Sequence, residues 1–229
     1  MWLGMPDQAF IGLHEMAEHT GRIRDAVDLP LIVDADTGFG NALNTYHTVR
    51  TLERAGADCV QLEDQVSPKR CGHFNGKEVI STQEMISKVK AACDARNDAN
   101  LMIMARTDAA ATEGLDAAIE RAQRYAEAGA DLLFVEAVTT LADIKALPQR
   151  LSSPQLINMV IGGKTPVTDA GDLKTMGYAL ILSRPNAVTG GLGMDINHLF
   201  VLEWRRRAGI GRALIATARE VALRAGAEY

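Results

Sequence analysis

Six short apolar runs, each closing on or near a polar residue, most restrict what this chain can fold into. Leu31-Ile32-Val33 stops at Asp34, Cys59-Val60-Gln61-Leu62 at Glu63, and Leu132-Leu133-Phe134-Val135 at Glu136. Leu101-Met102-Ile103-Met104 precedes Arg106, Leu156-Ile157 leads to Asn158, and Tyr178-Ala179-Leu180-Ile181-Leu182 leads to Ser183. Runs this short and this apolar suit strands buried on both faces, as in a parallel sheet. Helical patterns separate them. Residues 45–55 are amphipathic and end at Gly56; residues 81–95 open with Ser81 and Glu84 at capping-box spacing; residues 114–128 end at Gly129. Ala-Gly-Ala-Asp closes two of these helices, at 55–58 and 128–131, a glycine C-cap running into a strand. Alternating strands and helices predict a parallel α/β fold. Polar residues at the C-terminal strand ends fit the active-site rim of a (β/α)8 barrel and also the ligand crevice of a doubly wound sheet, so position alone leaves both open. The runs give six strands, whereas a closed barrel of this type has eight.

Composition narrows the function classes. The 229 residues carry 24 Lys+Arg against 29 Asp+Glu, a formal charge of −5, with 47% hydrophobic residues, so a largely disordered chain is excluded. The mild acidity argues against a general nucleic-acid binder. No apolar run nears the roughly 20 residues of a membrane helix, and the N-terminal segment lacks signal-peptide character. Three cysteines, Cys59, Cys71 and Cys93, make no disulfide framework. The expectation is a soluble, reduced, cytoplasmic protein.

Three clusters carry chemistry. In Asp34-Ala35-Asp36-Thr37-Gly38-Phe39-Gly40, two carboxylates two residues apart follow a strand and can converge on one ion. Glu63-Asp64 adds two more at the next strand end, and oxygen-only ligands suit a hard cation such as Mg²⁺. Gly38-Phe39-Gly40 lacks the third glycine of a dinucleotide fingerprint. The polar loop Gln65 to His73 sets Cys71 among Lys69, Arg70 and His73, a positive setting that lowers a thiol pKa and allows proton transfer near neutrality. Zinc is not expected, because no second Cys/His pair has ligand spacing. Arg106-Thr107-Asp108 ends a third strand; the arginine can fork a substrate carboxylate or form a salt bridge across the rim. Glu136 and Asn158 hold equivalent strand ends, while His14, His19, His47 and His198 read as structural or surface residues.

These motifs, with Leu3-Gly4-Met5-Pro6-Asp7 and Gly162-Gly163-Lys164-Thr165-Pro166, resemble the isocitrate lyase/phosphoenolpyruvate mutase superfamily over most of the chain. Lys69-Arg70-Cys71-Gly72-His73 is similar to the loop of its lyase branch, nearest the 2-methylisocitrate lyases. The resemblance implies a (β/α)8 barrel and Mg²⁺-dependent carbon–carbon cleavage of a 2-hydroxy di- or tricarboxylate to pyruvate and succinate through an enolate, with Mn²⁺ as an alternative metal. It assigns Asp36 directly, and Asp34, Glu63 and Asp7 largely through water, to the metal. Cys71 is the implied general acid, with Lys69, His73, Arg106 and Glu136 in the catalytic set. Arg70, Gly72, Arg106, Glu136 and Asn158 are the implied substrate contacts. A homo-oligomer, a tetramer in the family, is implied, with no nucleic-acid or membrane partner. Oxaloacetate decarboxylase or phosphonomutase-type chemistry, and a non-catalytic barrel remnant, remain as alternatives.

Two departures accompany the resemblance. The family's first two strands and a Ser-Gly-Gly segment have no counterpart, so residues 1–198 are expected to be a barrel lacking those strands, with another chain covering the gap or a truncated start. Residues 199–229 instead read as a strand, Arg206-Arg207-Ala208-Gly209-Ile210-Gly211 and a helix, similar to a fragment of a GCN5-like N-acetyltransferase.

Overall fold

In the computed structural model the structure describes residues 8–70, 76–160, 165–166, 172–173, 176, 178 and 180–184. Asp7, Cys71, Gly72, His73, the motif Gly162 to Lys164 and the expected boundary at 198/199 lie outside the described residues. The chain divides into two compact units between Val138 and Thr139.

The first unit carries α1 (Leu13–Ala26), β1 (Ile32–Asp34), α2 (Ala42–Arg54), β2 (Cys59–Glu63), α3 (Thr82–Ala95), β3 (Met102–Thr107), α4 (Leu115–Glu127) and β4 (Leu132–Val135). A 3-10 turn at Ala109–Ala111 lies between β3 and α4. Its strands pair in parallel in the order β1-β2-β3-β4, the parallel α/β arrangement expected from the alternation. β2 and β4 are buried throughout, as their apolar runs require. β1 differs: Ile32 remains 38% exposed, so this strand is not covered on both faces.

Capping chemistry sets the helix starts. Ser81 Oγ accepts the Glu84 amide at 3.2 Å and opens α3. Asn41 Oδ1 accepts the amides of Leu43 and Asn44 and opens α2 earlier than the sequence pattern suggested. Gly56 and Gly129 follow the C-caps of α2 and α4 with φ of 99° and 113°, as the repeated Ala-Gly-Ala-Asp phrase predicted. α1 was not visible in the hydrophobic pattern because Thr20 is its single fully buried residue. It is tied down by polar contacts instead: Arg24 donates to Gly56 O and Leu29 O and pairs with Asp58.

The second unit holds α5 (Leu141–Arg150), β5 (Gln155–Val160) and β6 (Leu180–Arg184). β5 and β6 pair in parallel with Asn158 opposite Leu182. β5 runs past Asn158, whereas the apolar run ended before it. Thr140 caps α5 by accepting the Asp143 amide at 3.0 Å. Pro148 inside this helix masked it from the sequence pattern. Ile144 and Leu147 anchor it, and Tyr178 Oη donates to Ile144 O at 2.8 Å. Among the described residues no helix is long and apolar enough to cross a membrane.

Leu62, Ile103, Ile119 and Leu133 are among the fully buried side chains of the first unit. Leu62→Ala is expected to cost about 2–5 kcal/mol, through lost burial and the cavity left behind. The check is a fall in the urea midpoint without a change in slope; an unchanged midpoint would mean that the site is not packed as described.

Candidate active site

Strand register puts the site's side chains on one face. Glu63 is opposite Arg106, Arg106 opposite Phe134, and Asp34 opposite Gln61. Side chains alternate along a strand, so this parity groups Asp34, Glu63 and Arg106. Just past the strand ends it is continued by Asp36, Asp108 and Glu136. The backbone extends the ladder there: the Glu63 amide donates to Asp36 O at 2.9 Å and the Glu136 amide to Thr107 O at 3.0 Å.

The Asp34–Gly40 segment turns sharply beyond β1. Asp34 Oδ1 accepts the Asp36 amide at 3.0 Å, and Asp36 adopts φ of 48°. Gly38, at φ of 86°, leaves no room for a Cβ because Thr45 packs against it. From beneath, Thr48 Oγ1 donates to Gly38 O at 3.1 Å and the buried Lys88 Nζ donates to Thr37 O at 3.0 Å. These contacts hold the two aspartates without using the Asp36 carboxylate, which lies 3.2 Å from Lys69 Nζ. Lys69, expected beside the thiol, thus has its ammonium on Asp36.

Glu63 is fully buried, and neither of its carboxylate oxygens accepts a hydrogen bond among the described residues. Arg106 Nε is 3.4 Å away. Burial pushes the Glu63 carboxyl well above the ordinary carboxylate range; Arg106 and Lys69 pull it back only in part, and Asp34 and Asp108 add to the rise. A buried carboxylate with open oxygens, next to Asp34 and Asp36, fits a divalent cation by donor type. Among the described residues no three such side chains already stand in ligating geometry, and Mg²⁺ needs only one or two carboxylates with waters completing its shell.

Arg106 is buried between three carboxylates. It donates from Nε to Asp108 Oδ2 at 2.9 Å and from Nη2 to Asp108 Oδ1 at 3.2 Å, and its Nη1 is 3.8 Å from Glu136 Oε2. Its Cζ stands 5.2 Å from the centre of the Phe134 ring. Burial works against its charge, but Glu63, Glu136 and Asp108 outweigh that and hold it protonated. In this structure the salt-bridge alternative for Arg106 is the one realised.

Lys77 and Asp108 were not singled out from sequence. Lys77 Nζ donates to Asp108 Oδ1 at 2.7 Å, with both side chains buried. The only sequence signal was a lysine just beyond the thiol loop and an aspartate two residues after Arg106. Asp64, expected to join the metal carboxylates, does not. Its oxygens accept from Thr107 Oγ1 at 2.7 Å, the Asp108 amide at 2.9 Å and Tyr125 Oη at 2.8 Å. The parity explains this: Asp64 is one residue beyond Glu63 and faces α4, where Arg121 and Tyr125 meet it.

Arg70 is exposed; its Nη1 donates to Gly76 O at 3.1 Å, and its amide and carbonyl are both bound by the Gln65 side chain at 3.0 and 2.9 Å. Asn158 belongs to the second unit, where its Oδ1 is buried without a hydrogen bond among the described residues.

Residues 1–189 match the phosphoenolpyruvate phosphomutase family. The chain belongs to this family. It is 49% identical over 180 residues to the 2-methylisocitrate lyase of Aeropyrum pernix, covering 79% of this chain and 58% of the relative. Crystals of 2,3-dimethylmalate lyase, a member of the phosphoenolpyruvate mutase/isocitrate lyase superfamily, superpose with a TM-score of 0.76 at 30% identity, covering 97% of this chain and 69% of that one. A phosphonopyruvate hydrolase bound to oxalate and Mg²⁺ gives a TM-score of 0.69 at 28% identity, covering 98% and 71%. The chain therefore spans about three-fifths of the length of the curated relatives it matches. The family match ends at residue 189 and lends no support to the acetyltransferase reading of residues 199–229.

Burial by itself would raise the Asp108 carboxyl, but Arg106 and Lys77 overcome this and the net direction is downward. A carboxyl depressed by folding stabilises the fold above its unfolded pKa, near ~3.9, and that contribution is lost as pH falls through the lower folded value. Asp108→Asn is expected to cost about 3–5 kcal/mol near neutral pH by leaving buried cations short of a partner. Its deficit relative to wild type should shrink below about pH 4. Urea titrations in both ranges check this; a deficit independent of pH would contradict an ionised Asp108.

Proposed function

We propose that this chain is the catalytic portion of a Mg²⁺-dependent carbon–carbon lyase that cleaves a 2-methylisocitrate-like 2-hydroxy acid to pyruvate and succinate. We further read its strands and helices as belonging to a (β/α)8 barrel. The observation that carries the proposal is the buried Glu63 carboxylate, its oxygens open, on the face shared by Asp34, Asp36 and Arg106. Resemblance to 2-methylisocitrate lyases supports the substrate class, and a relative bound to Mg²⁺ and oxalate supports the metal.

Asp34, Asp36 and Glu63 would hold the ion, with Asp7 from the N-terminal segment. When bound, Mg²⁺ supplies Lewis-acid stabilisation of charge developing on the substrate's hydroxyl and carboxylate oxygens. Loss of the hydroxyl proton lets the adjacent carbon–carbon bond break, so that the hydroxyl carbon becomes the carbonyl of pyruvate and the bonding pair stays with the succinate fragment. Cys71 delivers a proton to the succinate-fragment carbon that keeps this pair. Lys69 and His73 join the catalytic set, and Arg70 and Gly72 contact the substrate. Arg106, held protonated by its carboxylate neighbours, supplies fixed positive charge facing the anionic substrate. Glu136 orients the substrate.

Pyruvate release from 2-methylisocitrate is expected with Mg²⁺ and not with EDTA. Cys71→Ser should abolish release while sparing Mg²⁺ binding, because the thiol takes no part in holding the ion. Absence of metal-dependent pyruvate from any 2-hydroxy di- or tricarboxylate would remove the lyase reading. Unchanged turnover in Cys71→Ser would remove the thiol from the mechanism.

A further inference from the structure

Arg106 faces a choice that its surroundings settle in an unexpected direction. It lies among Glu63, Asp108 and Glu136, and neither Glu63 oxygen accepts a hydrogen bond among the described residues. A buried carboxylate in that condition is costly, and a guanidinium 3.4 Å away would relieve it by donating. Instead the Nε–H goes to Asp108 Oδ2 and Nη2 goes to Oδ1, so the Nε–Nη2 edge of the fork is committed. The Phe134 ring beneath the guanidinium favours keeping its plane as it is.

Asp108 can hold this position because it is itself pinned. Its amide donates to Asp64 Oδ1 at 2.9 Å, and Lys77 Nζ donates to its Oδ1 at 2.7 Å with both side chains out of solvent. A buried Lys–Asp pair is a poor source of stability compared with apolar side chains of similar size. What it does here is geometric. We propose that Asp108, held by Lys77, is a positioning residue that keeps Arg106 from closing onto Glu63 and so leaves both Glu63 oxygens to a divalent cation. This rests on the metal reading above and assigns roles to two residues that touch neither the metal nor the substrate.

The test is Mg²⁺ binding to the whole chain, without substrate, by titration calorimetry. Asp108→Asn should bind Mg²⁺ about ten- to a hundredfold more weakly than wild type, the worth of one charge-assisted hydrogen bond diverted onto Glu63. The loss should vanish when Arg106 is absent: Arg106→Met/Asp108→Asn should bind as Arg106→Met does. A general loosening of the fold would not show that dependence. Because Asp108→Asn strands a buried ammonium, Lys77→Met/Asp108→Leu serves as a second variant that removes both charges. It is checked for folding by far-UV circular dichroism and should weaken binding to the same degree. Wild-type affinity in either folded variant overturns the proposal, as does a loss that persists in the Arg106→Met background. A wild-type chain that binds no Mg²⁺ overturns the metal reading and this inference together, whereas wild-type binding with an unaffected Asp108→Asn overturns only the inference.

Discussion

A carboxylate sealed from water, to which nothing among the described residues donates a hydrogen bond, is the constraint around which the first unit is organised. Glu63 could not be tolerated in an apolar core, because burying an ion costs several kcal/mol even after relaxation. It persists because the charge around it is arranged rather than merely neutral. Arg106 stands close enough to offset it by Coulomb attraction, while Asp108 takes the two hydrogen bonds that the Nε–Nη2 edge of Arg106 gives. The result is a patch with more acids (Asp34, Asp36, Glu63, Asp108 and Glu136) than cations (Lys69, Lys77 and Arg106) and with unspent acceptor capacity, which is what a hard cation requires and what a purely structural ion pair lacks.

The scaffold reaches this arrangement through strand parity. One face of β2 and β3, and of the residues just beyond them, collects Glu63, Arg106 and Asp108. The other collects Leu62, Ile103 and Asp64 and meets the helices. Asp64 shows how much depends on that alternation. It neighbours Glu63 in sequence and shares its acidity, yet it is saturated by Thr107, Tyr125 and the Asp108 amide. A shift of one residue in register would exchange the two carboxylates and remove the site.

The segment before the thiol loop and the segment after it are both tied to this frame. Gln65 grips Arg70 through its amide and carbonyl, and Lys77 returns the chain onto Asp108. Lys69 reaches back to Asp36 across the face. The metal-candidate carboxylates, the arginine and the approaches to Cys71 therefore share hydrogen bonds and ion pairs, and substitutions among them should not behave additively.

Much of this was legible without coordinates. Six apolar runs became six strands, the repeated Ala-Gly-Ala-Asp phrase became two glycine-terminated helices, and Asp34, Asp36, Glu63, Arg106 and Glu136 lay at or just beyond the strand ends. These are local properties: hydrophobic run length, glycine geometry and the residue that follows a strand. α1 and α5 escaped because neither shows a clean apolar stripe, one being anchored by Arg24 and the other interrupted by Pro148. Which carboxylate stays open and which is consumed was not a local property at all. Glu63 and Asp64 look alike in sequence, and Arg106 could have paired with any of three acids. Hydrogen bonds between residues 31 to 61 positions apart decided among them, because only the folded register brings Lys77, Asp108, Thr107 and Tyr125 to their partners.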